Sequence, residues 1–125
     1  MGTTLKDDID RVLAIRDGAP QCGILIDANQ GYNPKTALRF INEVVNHGIY
    51  PVMFEQPVLK TDLVGMKYVR DNTEILIGAD ESVFTAADAI DIVRTGCADV
   101  INIKLMKSCI IESLDIAGNC TQRQP

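Results

Sequence analysis

Four ionisable side chains in this sequence stand at nearly regular intervals and could together form a site. Asp27, Glu55, Asp80 and Lys104 follow one another at separations of 24 to 28 residues. Each ends a short, mostly apolar run, and the runs are GILID, PVMFE, EILIGAD and ADVINIK (23–27, 51–55, 74–80 and 98–104). If these runs are strands that point the same way, their last residues meet at one edge of a sheet or barrel. The spacing therefore predicts three carboxylates and one ammonium group close together.

Three carboxylates at one edge repel one another unless a positive charge offsets them. A hard divalent cation does so, and oxygen ligands from Asp and Glu suit Mg²⁺, with Mn²⁺ as the alternative. Such an ion can hold a carboxylate substrate and stabilise the charge that develops when the α-proton leaves. Lys104 beside the cation is expected to have a lowered pKa and to act as the base. Taken singly, each of these residues is better explained as a structural or solvated strand end.

Amphipathic segments lie between the apolar runs and are expected to be helices, at residues 5–18, 33–48, 60–72, 85–96 and 110–119. Asn33 and Thr85 are typical helix caps, and Gly48 and Gly96 are typical stops. The apolar runs alternate little in polarity, which suits strands buried on both faces. Strands separated by whole helices must pair in parallel, so this order predicts the α/β class.

The size and composition of the chain restrict its organisation and its partners. Its 125 residues are enough for one domain, taken as 1–125. A net charge of −5 without a basic run argues against nucleic acid or an anionic membrane as a partner. No apolar stretch approaches the ~20 residues of a membrane span, and the N-terminus lacks the features of a signal peptide. Four cysteines without a CxxC pair favour reduced thiols in a cytoplasmic protein, with disulfides or a zinc site as alternatives.

The residues around the four charged positions resemble motifs of the enolase superfamily. DANQGY, FEQPV, GADESVF and DVINIKLMKS occur in order, and their wording most closely resembles the L-Ala-D/L-Glu (dipeptide) epimerases of the muconate-lactonizing-enzyme branch. The resemblance implies a TIM-type (β/α) barrel, metal ligation by Asp27, Glu55 and Asp80, and acid/base catalysis by Lys104. Three neighbouring motif residues are expected to hydrogen-bond this set: Asn29, Glu81 and Lys107.

Parts of the family pattern have no counterpart in this sequence. These are the capping domain, a Lys-x-Lys pair on the strand before the first apolar run, the last two strands and an Asp-x-Asp element on the final strand. At the fourth motif MKSCII replaces the usual KSGG or KTGG, so Cys109 and Ile110 are expected to narrow substrate access. The expected fold is half of a TIM-type barrel, with about four parallel strands and flanking helices.

Three functions are compatible with this sequence. The first is a divalent-metal-binding half-barrel related to epimerases, weak or inactive alone because the opposing base is missing. The second is a racemase, epimerase or cycloisomerase for small carboxylates or dipeptides that is active as an oligomer, or through one-base chemistry. The third is a scaffold or interaction module. Because a half-barrel has two open strand edges, copies of the chain are expected to associate and cover them.

Overall fold

The computed structural model describes residues 4–121, in which helices and strands alternate along the chain. The helices are α1 (Leu5–Gly18), α2 (Pro34–Asn46), α3 (Leu63–Asp71), α4 (Ala86–Thr95) and α5 (Leu105–Thr121). The strands are β1 (Leu25–Asp27), β2 (Met53–Glu55), β3 (Ile77–Ala79) and β4 (Val100–Ile101). The element order predicted from the sequence is confirmed.

The four strands form one parallel sheet in the order β1-β2-β3-β4. Asp27 stands opposite Glu55, Glu55 opposite Gly78, and Gly78 opposite Val100. Every connection between neighbouring strands is a helix, so the carboxyl ends of all four strands lie on one rim. This arrangement confirms the predicted α/β class and the partial barrel. Within residues 4–121, β1 and β4 each pair with a strand on one side only.

Local sequence signals set the ends of the helices. The Asn33 side chain caps α2 by accepting a hydrogen bond from the Thr36 backbone, and Pro34 follows in the first turn. Thr85 and Asp88 form a reciprocal capping box at the start of α4. Side-chain caps of this kind stabilise a helix by about 1 kcal/mol each. They therefore determine where the loops after β1 and β3 end and where α2 and α4 begin.

The hydrophobic core lies between the sheet and its flanking helices. Phe40 and Phe54 are fully buried with ring centroids 5.6 Å apart, and Tyr32 packs against both rings. Full burial of such a side chain contributes roughly 1.5–3 kcal/mol. Other fully buried residues come from α2, α3, β3 and α4: Ile41, Met66, Ile77 and Ile92.

The other face of the sheet has no covering layer within residues 4–121. Leu25 is 53% exposed and Leu76 is 47% exposed. Because side chains alternate along a strand, Leu25 and Asp27 point to the same face. The outer surface of α5 is also apolar and exposed, at Met106, Ile110, Ile111 and Leu114. None of the helices described here has the length and apolar character needed to cross a membrane.

The strands and α5 differ from their predicted bounds. The regular ladder covers only two or three residues of each apolar run. Adjoining residues still pair, as the Val52 N–H donates to the Ile24 carbonyl at 2.8 Å. Helix α5 begins at Leu105 rather than at residue 110, and its helical geometry is interrupted at Cys109. The sequence pattern detected only the part of α5 after this interruption.

Candidate functional site

The three predicted carboxylates stand on adjacent strands at the carboxyl rim. Asp27 and Glu55 are the last residues of β1 and β2 and face each other in the register. Asp80 follows β3 by one residue, two positions beyond Gly78, which is the partner of Glu55. Lys104 follows β4 by three residues. The regular spacing in the sequence thus corresponds to neighbouring positions on one rim.

Asp80 is held by two ammonium groups. The Nζ atoms of Lys104 and Lys107 each donate a hydrogen bond to a different oxygen of Asp80, which is only 3% exposed. Burial acts to raise the pKa of Asp80. The hydrogen bonds from Lys104 and Lys107, together with their charges, outweigh burial and hold that pKa below its ordinary value. Asp80 is therefore an ionised carboxylate with both oxygens engaged.

Lys104 experiences the negative charge of all three carboxylates. Its hydrogen bond to Asp80 raises its pKa, burial opposes the increase, and the charges of Asp80, Glu55 and Asp27 add to it. The sequence led us to expect the opposite shift, a lowered pKa. The difference has a simple cause: the expected lowering depends on the positive charge of an ion, whereas the protein groups alone supply negative charge.

Asp27 and Glu55 each have one oxygen bonded within the protein. Asp27 Oδ1 accepts a hydrogen bond from the Asn29 backbone N–H at 2.9 Å. Glu55 is 5% exposed, and its Oε1 accepts a hydrogen bond from the side-chain amide of Asn102 at 2.5 Å. Residues 4–121 provide no hydrogen-bond donor to the second oxygen of either carboxylate. These second oxygens can bind a ligand without breaking a protein hydrogen bond.

The three residues expected to support this set have different surroundings. Lys107 contacts Asp80 directly. Asn29 contacts Asp27 through its backbone N–H. Glu81 has a buried oxygen, Oε2, that has no hydrogen-bond partner in the part of the chain described here. The structure therefore brings Lys107 and Asn29 to the predicted residues, and shows no hydrogen bond between Glu81 and any of them.

Sequence reasoning missed three residues at this rim. Asn102 lies two positions before Lys104, so strand alternation could have placed both on one face. The fully buried Gln56 follows Glu55, and no local pattern indicates its contacts. Tyr32, in the loop after β1, is partly buried against the core, and its hydroxyl donates to Asp8 at 2.8 Å. Burial, and then the bond to Asp8, raise the pKa of this tyrosine far above its ordinary value.

Backbone conformations rare for side-chain-bearing residues cluster at the same rim. Asn29 and Gln30, shortly after β1, have φ values of 47° and 63°. Gln56, directly after β2, has φ of 36°, and Cys109 in α5 has φ of 58° with ψ of 176°. Such conformations persist only where surrounding contacts enforce them, and they are common at functional sites. The conformation of Cys109 suits glycine, which agrees with the glycines expected at this turn.

The carboxylate oxygens of Asp27, Glu55 and Asp80 suit a hard divalent cation, although the three side chains are not close enough together to coordinate one. Within residues 4–121, no three Asp, Glu, His or Cys side chains already lie close enough together to hold a metal ion. The chemistry of Asp27, Glu55 and Asp80 nevertheless fits Mg²⁺, which binds oxygen ligands. Binding at Asp80 requires at least one of its two lysine hydrogen bonds to yield.

Comparison with known proteins agrees with the motifs. Residues 1–124 match the family described as enolase C-terminal domain-like. A hydrophobic dipeptide epimerase of Enterococcus faecalis is 44% identical over 122 residues, which are 96% of this chain and 34% of that protein. The crystal structure of the dipeptide epimerase from this bacterium, complexed with Mg and the dipeptide L-Leu-L-Tyr, superposes with a TM-score of 0.90 at 43% identity, covering 98% of this chain and 34% of that one.

A second solved structure gives the same result. The L-Ala-D/L-Glu epimerase of Bacillus subtilis, in a substrate-liganded complex, superposes with a TM-score of 0.92 at 40% identity. The match covers 95% of this chain and 34% of that one. The chain thus spans about a third of the length of the relatives it matches. On its motifs, its parallel sheet and these matches, the chain belongs to the enolase C-terminal domain-like family, and its relatives include dipeptide epimerases.

Proposed function

We propose that the chain is a divalent-cation-binding half-barrel that performs one half of an epimerase reaction, proton abstraction next to a carboxylate. Asp27, Glu55 and Asp80 would hold the cation, Mg²⁺ or Mn²⁺. The bound cation would supply positive charge that holds a substrate carboxylate and offsets the charge left by the departing α-proton. Lys104 would take that proton. The substrate would be a small carboxylate or a dipeptide. The free cysteines of the chain suit the reducing cytoplasm, which is the expected compartment.

One observation carries this proposal: Asp27, Glu55 and Asp80 stand at the carboxyl ends of three adjacent strands, and Asp80 is hydrogen-bonded to Lys104 and Lys107. A structural role for one strand-end aspartate is common, but three carboxylates on one rim, with two lysines bonded to one of them, need a different explanation. Surface ion pairs contribute little to stability, and buried ones often less than apolar residues of the same size. The arrangement is therefore better explained by ligand binding than by folding.

The relatives support the substrate class. The Enterococcus faecalis structure contains Mg and a dipeptide, and the Bacillus subtilis structure contains a substrate. This chain is more than a third identical to both, over nearly its whole length. By extension, a dipeptide carboxylate at this rim is the first substrate to test.

The expected chemistry is one-sided. Lys104 and Lys107 both follow β4, and they are the lysines that contact Asp80 within residues 4–121. Inversion at a carbon requires that one group remove the proton and that another return a proton on the opposite face. A base on one side can exchange the α-proton with solvent and leave the configuration unchanged. Full epimerisation would require an acid on the opposite face, which a second chain would supply in the alternative where an oligomer is the active form.

The test is exchange of substrate protons with D₂O, followed by NMR in the presence of Mg²⁺ with L-Ala-L-Glu. We expect slow deuterium incorporation at the α-carbon of the glutamate residue, without formation of L-Ala-D-Glu. Lys104→Ala should abolish the exchange. Lys67→Ala is the matched control, because Lys67 is exposed on α3 and pairs with Asp71. Exchange no faster than in Lys104→Ala would exclude this chemistry, whereas L-Ala-D-Glu formation would favour the oligomeric enzyme.

A further inference from the structure

Gln56 is a fully buried polar residue directly after Glu55, and the proposed chemistry gives it no role. Its backbone has φ of 36°, a value that a side-chain-bearing residue adopts only under constraint. A buried amide also requires partners for its donors and acceptor. Its hydrogen bonds therefore indicate what the constraint achieves.

The side chain of Gln56 binds the loop that carries Asp80. Its Oε1 accepts hydrogen bonds from the backbone N–H of Asp80 at 3.0 Å and of Ser82 at 3.1 Å. Its Nε2 donates to the Ser82 hydroxyl at 2.9 Å and to the Val58 carbonyl at 3.1 Å. The backbone position of Asp80 is thus set by a side chain from the neighbouring strand.

The backbone of Gln56 reaches the strands and loops on both sides. Its N–H donates to the Gly78 carbonyl of β3 at 2.9 Å. Its carbonyl accepts from the Gln30 N–H, in the loop after β1, at 2.9 Å. One residue after β2 is therefore hydrogen-bonded to the segments that carry Asp27 and Asp80.

Lys60 closes the same set of loops at a second point. Its N–H donates to Gln30 Oε1 at 2.9 Å, and its carbonyl accepts from the Ser82 hydroxyl at 2.9 Å. Ser82 in turn contacts Gln56. We call Gln30, Gln56, Lys60 and Ser82 the loop brace. The three loops that follow β1, β2 and β3 are joined through it.

We propose that Gln56 is a positioning residue that sets the separation of Asp80 from Glu55 and Asp27 and thereby tunes cation affinity. This inference rests on the proposed function, because it assigns Gln56 a role toward the same three carboxylates. Mg²⁺ requires near-ideal octahedral geometry, so its affinity depends strongly on where ligand oxygens are held. In other metalloproteins, removal of a residue that orients a metal ligand without touching the ion weakens metal binding.

A purely structural role for Gln56 makes a different prediction, and the chain offers a matched control. Asp99 holds the opposite end of β3, where its Oδ2 accepts from the Ile77 N–H at 2.9 Å. Its Oδ1 accepts from Arg70 Nε at 2.7 Å. Asp99→Ala leaves the Ile77 N–H without its side-chain acceptor, at the end of β3 away from the carboxylates. Gln56→Met leaves the Asp80 and Ser82 N–H groups without theirs, at the rim itself. Both changes should lower the free energy of unfolding, and only the change at Gln56 should weaken cation binding.

The experiment is calorimetric titration of Mg²⁺ into wild type, Gln56→Met and Asp99→Ala, with urea unfolding of each. We expect about a tenfold or greater loss of Mg²⁺ affinity in Gln56→Met, the size seen when an orienting partner is removed. Asp99→Ala should keep the wild-type dissociation constant within a factor of about two. Amide hydrogen exchange should also become faster at Asp80 and Ser82 in Gln56→Met, with or without Mg²⁺.

The outcomes separate this inference from the function on which it rests. Wild-type affinity in a folded Gln56→Met would overturn the role of Gln56 and leave the cation site standing. Absence of Mg²⁺ binding in wild type would overturn both. If circular dichroism shows that Gln56→Met is unfolded, Ser82→Ala decides the question. Losing the Ser82 hydroxyl should weaken Mg²⁺ binding about threefold, the effect of one neutral hydrogen bond, and unchanged affinity would overturn the inference.

Discussion

The side-chain amide of Asn102 donates a hydrogen bond to Glu55 Oε1 at 2.5 Å, across 47 residues of sequence. Glu55 is on β2 and Asn102 follows β4, so this bond crosses over β3. It crosses on the exposed face of the sheet, where Leu76 and Leu25 also lie. Asn102 leaves the second oxygen of Glu55 available and holds the carboxylate in place.

Asn102→Ala should therefore weaken Mg²⁺ binding by about tenfold, because Glu55 loses the group that orients it. Calorimetric titration measures the change. Asn72→Ala is the control, since the Asn72 amide donates to the Tyr68 carbonyl at the end of α3. Equal Mg²⁺ affinity in the two variants would show that Asn102 does not orient a metal ligand.

Cys109→Gly should stabilise the chain by about 1 kcal/mol, because a side-chain-bearing residue at this φ and ψ costs of order 1–3 kcal/mol. The position has φ of 58° and ψ of 176° inside α5. Urea unfolding measures the difference. Cys109→Ala is the control that retains a Cβ atom and should give no such gain. A Cys109→Gly variant no more stable than Cys109→Ala would exclude backbone strain at this turn.

The capping box of α4 should make stability depend on acid pH. Burial acts to raise the pKa of Asp88, but hydrogen bonds from the Phe84 and Thr85 backbone and the Thr85 hydroxyl outweigh it and hold the pKa below its ordinary value of 3.8. A lowered carboxyl pKa contributes stability at neutral pH that is lost as the pH falls through the folded-state value.

Asp88→Asn should therefore lower the free energy of unfolding at pH 7 by about 1 kcal/mol and have a smaller effect near pH 3. Urea unfolding at both pH values measures this. Asp91→Asn, at an exposed position on the same helix, is the control and should change little. An equal loss at the two pH values would contradict an ionised cap.

Within residues 4–121, β1 and β4 each leave one strand edge open, and these edges should promote self-association. An exposed apolar sheet face and an unpaired strand edge favour pairing with another chain. We expect size-exclusion chromatography with light scattering to give a mass above that of the monomer, rising with concentration. Leu25→Glu should shift the mass toward the monomer, whereas Val64→Glu, at a residue 83% exposed on α3, should not. A stable monomer at all concentrations would contradict this.

Features of the fold that are set by residues close together in the sequence could be predicted from it. Thr85 and Gly96 act within one helix, so their types and spacing were enough to bound α4. Asp27 and Glu55 end apolar runs, so their places on the rim followed from the strand order. These features are local, and the parallel arrangement of the sheet follows from the helix-length connections alone.

Contacts between residues that are far apart in the sequence could not be predicted from it. The bonds of Gln56 to Asp80 and Ser82, and of Asn102 to Glu55, depend on the register of neighbouring strands. The raised pKa of Lys104 depends first on its hydrogen bond to Asp80 and then on the charges of Asp80, Glu55 and Asp27, which stand on different strands or loops. The predicted ladder was too long because hydrophobicity marks burial rather than regular pairing. Helix α5 was predicted too short because Cys109 interrupts its geometry.

Calorimetric titration of Mg²⁺ into the wild-type chain and Asp80→Asn tests the central claim most directly. Asp91→Asn removes one negative charge from an exposed position and controls for net charge. We expect one Mg²⁺ per chain in wild type and in Asp91→Asn, with affinity at least about tenfold weaker in Asp80→Asn. If titration of the wild type shows no binding heat, either released or absorbed, there is no cation site at this rim. Asp80→Asn that binds Mg²⁺ as tightly as wild type would also contradict the site.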